Sequence, residues 1–121
     1  MEYKINGISK KNIVMELFEQ CTFLIKKIKE TRQSIIDNVV NIMKKHNVSE
    51  IYCNYLNYTP LITKSMTLNT ISLTNNNEIK LWCSNENKNT YVFADELDIQ
   101  LLIEFYQWFI DYEDEIFEQD Y

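Results

Sequence analysis

Between Ile8 and His46 the chain contains neither glycine nor proline. Apolar residues recur there at intervals of three and four: Ile13, Val14, Leu17, Phe18, Cys21, Leu24, Ile25 and Ile28, then Ile35, Ile36, Val39, Val40, Ile42 and Met43. Such spacing calls for one amphipathic helix over about residues 9–46. Ser9 is placed to cap its start and Asn47 to end it in the left-handed conformation, while Lys44, Lys45 and His46 occupy the last turn, where cations suit the helix dipole. At 1.5 Å per residue this helix measures on the order of 55 Å. The core of one small domain cannot cover all of it.

Val14, Cys21, Ile28, Ile35 and Ile42 are spaced by sevens, with Phe18, Ile25, Arg32 and Val39 as a companion row, which is the pattern of a coiled-coil-like seam. The seam predicts a homo-oligomer, at least a dimer, with Val14, Cys21, Ile28, Ile35 and Ile42 at the interface. Arg32, the chain's only arginine, interrupts the companion row. A guanidinium in an apolar seam must be paired or must reach water. Two readings follow: an ion pair with Glu104 or Asp111, or an anion site in which Arg32 and Lys29 from two subunits share a phosphate-bearing ligand or a partner's carboxylate.

Beyond the helix the period changes. The segments EIYCNYL, SMTLNTISLT, EIKLWCS and TYVFA are short and rich in β-branched and aromatic residues, and read as strands within about residues 50–94. NNN at 75–77 and NENKN at 85–89 are hairpin turns, so a three- to four-stranded antiparallel meander is expected. NYTPLITK, around the only proline, is the least regular segment and the best candidate for a partner-contacting loop. Alternation places Ile79, Leu81 and Cys83 on one face of their strand and Lys80 and Trp82 on the other. Trp82 then lies either under a helix or, beside Lys80, on an open binding face.

DELDIQLLIEFYQWFIDYEDEIF reads as a second helix over about 96–117, capped by Asp95 and almost without a polar face from Ile99 to Tyr112, so that cover on more than one side is expected. An acidic tail, 118–121, follows. The fold class is therefore α+β, oligomeric, with the 121 residues forming a single domain.

Charge is unevenly placed. Residues 1–48 carry nine Lys/Arg and five Asp/Glu, whereas residues 89–121 carry ten acids and no base. The even phosphate-binding surface of a nucleic-acid binder is missing, so direct nucleic-acid binding is not expected. One glycine precludes a phosphate-cradling glycine loop. Cys21, Cys53 and Cys83 are far apart and odd in number, unsuited to a disulfide framework; they read as reduced, core-filling thiols, and their combination with His46 as a zinc site or nucleophile pair lacks the usual short spacings. No cofactor, metal or catalytic residue is called for. No apolar run is long enough to span a bilayer, and a cytoplasmic location, in a bacterial cell or an infected host cell, is expected.

These features favour a non-catalytic binding protein that works by occupancy, sequestering a small anionic, nucleotide-like ligand or blocking a protein partner, with Arg32, Lys29, Trp82 and Lys80 as binding residues. The abundance of residues with AT-rich codons fits low-GC bacteria, their phages and mobile elements, and an anti-defence protein is the specific expectation drawn from that association. One alternative is an acidic mimic of nucleic acid, in which Asp111, Glu113, Asp114, Glu115, Glu118 and Asp120 occupy the basic groove of a host protein. A small cysteine-dependent enzyme is the other.

Overall fold

A computed structural model describes residues 4–5, 8–54, 56, 58–63 and 65–118, with side chains from residue 12 onward. The fold is α+β, with a long N-terminal helix, an antiparallel sheet and C-terminal helices. The chain forms two compact units, Met1–Thr31 and Arg32–Tyr121. Among the described residues no helix is long and apolar enough to cross a membrane.

In the first unit, two short strands, β1 (Lys4–Ile5) and β2 (Ile8–Ser9), pair antiparallel. Helix α1 (Lys10–Lys45) begins immediately after Ser9. Its apolar side chains Val14, Met15, Leu17, Phe18, Phe23, Leu24, Ile25 and Ile28 are all exposed. Thr22 turns its hydroxyl back to the carbonyl of Phe18, 3.0 Å away.

In the second unit the remainder of α1 supplies Ile35, Ile36, Val39, Val40 and Met43 to the core. The helix ends as its sequence requires: Asn47 adopts φ 57°, and the amide of Val48 donates to the carbonyl of Met43 at 3.1 Å. Five strands follow: β3 (Glu50–Tyr52), β4 (Leu61–Thr63), β5 (Met66–Leu73), β6 (Ile79–Ser84) and β7 (Asn89–Phe93). They order as β3-β5-β6-β7, all antiparallel, with β4 also paired to β5. The β5–β6 turn closes with Asn77 at φ 61°, and the amide of Thr74 donates to the carbonyl of Glu78 at 2.9 Å. Asparagine here does what glycine usually does, because its short polar side chain tolerates the left-handed region.

The sheet departs from the expected meander at β4, which forms within NYTPLITK. The alternating Leu-Ile-Thr triplet buries Ile62 and exposes Leu61, enough to add a short strand to the free edge of β5.

The C-terminal helix is also broken differently. A 3-10 turn occupies Ala94–Glu96, α2 runs Ile99–Asp111 and α3 runs Glu113–Phe117. Asp98, not Asp95, caps α2, its carboxylate accepting from the Gln100 amide at 2.9 Å. Tyr112, at φ −109° and ψ 19°, separates α2 from α3. Helix α2 buries Leu102, Phe105, Trp108 and Phe109, while Ile103 and Ile110 remain exposed. The sheet, the second half of α1 and α3 cover α2 from more than one side, and Ile103 and Ile110 lie outside that cover among the described residues. The tail after Glu118, Asp120 included, lies outside the described residues.

Inward-facing Ile51, Ile62, Leu68, Ile71, Ile79, Leu81 and Cys83 of the sheet join the α1 residues, Leu102, Phe105 and Phe109 of α2 and Ile116 of α3 in one apolar cluster. Within the second unit these helical residues therefore pack on one face of the sheet, and among its described residues the other face is uncovered.

Candidate partner-binding face

Register fixes what the open face carries. Tyr52, Thr70, Trp82 and Tyr91 stand in one row across β3, β5, β6 and β7, and Glu50, Ser72, Lys80 and Phe93 in the next. Because successive strand residues alternate sides, burying Ile79, Leu81 and Cys83 sends Lys80 and Trp82 outward. Trp82 is 38% exposed and Tyr91 41% exposed. Of the two placements the sequence allowed for Trp82, the open face is the observed one.

The aromatic side chains on this face order one another. The rings of Trp82 and Tyr91 meet at 4.9 Å and 54°, and those of Tyr91 and Phe93 edge-on at 5.6 Å. The ammonium of Lys80 lies 4.5 Å from the centre of the Tyr91 ring, 5.6 Å from that of Trp82 and 5.7 Å from that of Phe93. Each such contact contributes on the order of 0.5–1 kcal/mol at an exposed site. The indole N–H of Trp82 donates to the Ser72 hydroxyl at 3.1 Å, and the Tyr52 hydroxyl donates to Glu50 at 2.6 Å. The result is an aromatic surface ordered around one cation. Lys80 and Trp82 were legible from alternation; Tyr91 and Phe93 were not singled out, although their own alternation in NTYVF pointed to the same side.

Arg32 is not placed as the ion-pair reading expects. Its Nη1 donates to the backbone carbonyls of Asp95, at 3.0 Å, and of Leu97. It pairs with neither Glu104 nor Asp111. Those carboxylates instead accept from Gln100 at 3.4 Å and from Gln107 at 2.9 Å. The 3-10 turn leaves carbonyls with no helical partner, and a guanidinium with five donors satisfies them. Lys29, in the first unit, is exposed.

The heptad residues divide as well. Val14, Cys21 and Ile28 are exposed, whereas Ile35 is buried in the chain's own core and Ile42 packs against it. A straight helix drifts about 20° per heptad, which carries the buried face on to Ile36, Val40 and Met43. The expected inter-subunit seam therefore cannot use Ile35 in this arrangement.

The two buried thiols offer little nucleophilic chemistry. Burial pushes the Cys53 thiol up to about 12 and also raises Cys83, an effect that the charge of Lys88 partly opposes. Cys21 is exposed rather than core-filling. His46 stacks on Phe117 at 3.9 Å with the Glu113 carboxylate 3.8 Å from its Nε2. Among the described residues, no three His, Cys, Asp or Glu side chains are grouped as a metal ion would require. Glu113 thus faces His46, while Asp111, Asp114, Glu115 and Glu118 are exposed.

A groove that sequence reasoning did not assemble lies between β4 and α2, with a volume of about 980 Å³. Tyr58, Leu61, Leu101 and Trp108 give it an apolar lining, and Asp98, Glu104 and Asp111 also line it. The indole N–H of Trp108 donates to the Tyr58 carbonyl at 2.9 Å, tying the proline-containing loop to α2. No family model, curated protein or solved structure matches the chain.

Proposed function

We propose that the protein is a non-catalytic binding protein acting by occupancy, and that its open sheet face takes a protein partner and blocks it. The observation that carries this reading is the cluster of exposed Trp82 and Tyr91 with half-buried Phe93 around Lys80. Tyrosine and tryptophan are enriched at the centres of protein interfaces, where large rigid side chains gain contact area at low entropic cost. Small-molecule sites are concave, whereas this face is a sheet surface. A surface of this shape suits another protein better than a nucleotide-like anion. The raised thiols of Cys53 and Cys83 support binding over cysteine catalysis.

The test compares wild-type protein with Trp82→Ser/Tyr91→Ser as bait, after circular dichroism has shown both to be folded. A partner protein retained by the wild type and lost by the variant supports the reading. An identical set of retained proteins overturns it. Titration with nucleotides supplies a second check: no saturable change in tryptophan fluorescence is expected, and a saturable change that disappears in the variant would assign the face to a small anion.

A further inference from the structure

The groove between β4 and α2 shares no residue with the aromatic face and has a strand edge of its own. β4 pairs with β5 along one edge, and among the described residues its other edge meets no strand. No described residue of β5 lines the groove, which therefore lies on the unpaired side of β4. An unpaired edge presents backbone N–H and C=O groups that an extended chain can take up. A groove between such an edge and a helix suits a peptide that adds as a further strand, its sequence chosen by the side chains of the helix.

The wall opposite β4 is one stripe of α2. Asp98, Leu101, Glu104, Trp108 and Asp111 recur there at steps of three and four, so they share a side of the helix. From Asp98 to Asp111 the stripe is about 20 Å long, which about six residues of extended chain cover. Tyr58 and Leu61 line the same groove and are exposed, and Leu101 is half-buried. An occupant with apolar side chains would take this surface out of water.

Charge selects the occupant. Asp98, Glu104 and Asp111 all line the groove, and no described base does. Asp98 accepts from the Gln100 amide, while Glu104 and Asp111 accept from the neutral side chains of Gln100 and Gln107, and among the described residues none of the three forms an ion pair. Residues 89–121 contain no base, and Lys64, next to β4 in sequence, lies outside the described residues; counting it leaves three acids to one base. We propose that the groove takes an extended segment of a partner protein, with lysine or arginine among apolar residues, added to β4 as a strand with its cations on Glu104 and Asp111. A second copy joined through this edge would instead set the same carboxylates against one another.

The whole chain is used for the test, panned against phage-displayed random dodecapeptides. Enriched peptides are expected to carry a clear excess of lysine and arginine over acids and to bind, once synthesised and labelled, with micromolar affinity by fluorescence anisotropy. Glu104→Gln/Asp111→Asn, both exposed positions, is expected to weaken them about tenfold at low salt and to flatten the salt dependence. Amide chemical shifts read the place: the selected peptide should move Leu61, Thr63 and residues 101–111, and should slow hydrogen exchange in β4. No enrichment, enrichment without a basic excess, full affinity in the double variant, or shifts centred on β6 and β7 would each overturn the proposal. So would spermine binding at the same amides as tightly as the peptides, which would make this a site for small organic cations. Shifts at those amides when peptide-free protein is concentrated would give the groove to a second copy and overturn it too.

Discussion

Arg32 donates from its guanidinium to the backbone carbonyl of Leu97, 65 positions further along the chain. The same nitrogen reaches the carbonyl of Asp95, so a helix residue holds the turn from which α2 starts. Arg32→Met removes both donors and leaves the carbonyls to find water. A loss of about 1.5–3 kcal/mol is expected from urea unfolding, the usual size for hydrogen bonds to a charged group. Arg32→Lys should recover only part of it, because one ammonium cannot reproduce the planar fork. Unchanged midpoints in both variants would show that water already serves these carbonyls.

Cys53 ties stability to alkaline pH. Its thiol titrates near 12 in the fold against 9.0 unperturbed, because burial disfavours the thiolate. Between those values the unfolded chain has released the proton and the folded chain has kept it. Stability is therefore full below about pH 9 and falls as pH rises, by about 1.4 kcal/mol per pH unit for one such group. Cys53→Ala should flatten the slope between pH 9 and 11 relative to the wild type. Equal slopes would contradict the assignment.

Asn77 holds φ 61° at the β5–β6 turn. Asn77→Ala forces a Cβ into the left-handed region without asparagine's local hydrogen bonding, and a cost of about 1 kcal/mol is expected. Asn77→Gly should be neutral within a few tenths of a kcal/mol, because glycine enters that region freely. Thermal midpoints of the two variants, measured side by side, decide it.

Helix α3 is short, but its apolar side is packed. Ile116 is fully buried, and Phe117 meets Phe109 edge-on at 5.9 Å while stacking on His46. Ending the chain after Tyr112 should cost about 3–5 kcal/mol, from two large apolar side chains removed from the core. Denaturant titration of the shortened chain measures it, and a shortfall below about 1 kcal/mol would mean that the core closes without them.

The elements that local chemistry alone specifies were legible. An uninterrupted period of three and four gave α1, asparagines at its end and in the β5–β6 loop gave the left-handed positions, and alternation in EIKLWCS put Trp82 and Lys80 on one face. What failed depended on long-range geometry. Two residues as close as Asp95 and Asp98 both suit an N-cap, and only the turn at Ala94–Glu96 decides for Asp98. Arg32 looked for an acid because side-chain identities are visible in a sequence, whereas nothing in it marks the carbonyl of Leu97 as available. The β4–α2 groove was hidden for the same reason: Leu61 and Leu101 read as separate apolar residues until β4 pairs with β5.

The pairing of β5 also orders events in time. One edge of this strand is matched by β6 from Thr67 to Leu73 across a short turn, while the opposite edge is shared by β3 and β4 in succession, with Glu50 reaching across to Ser72. Closing the β5–β6 and β4–β5 connections costs little chain entropy, whereas β3 docks across a longer stretch of chain, and both β3 and β4 pair over fewer residues than β6. In native-state hydrogen exchange, the amides of β6 should be the slowest to open and those of β3 and β4 should exchange earlier. The groove beside α2, whose wall includes Leu61 and Thr63, would then breathe on a faster timescale than the aromatic face carried by β6 and β7.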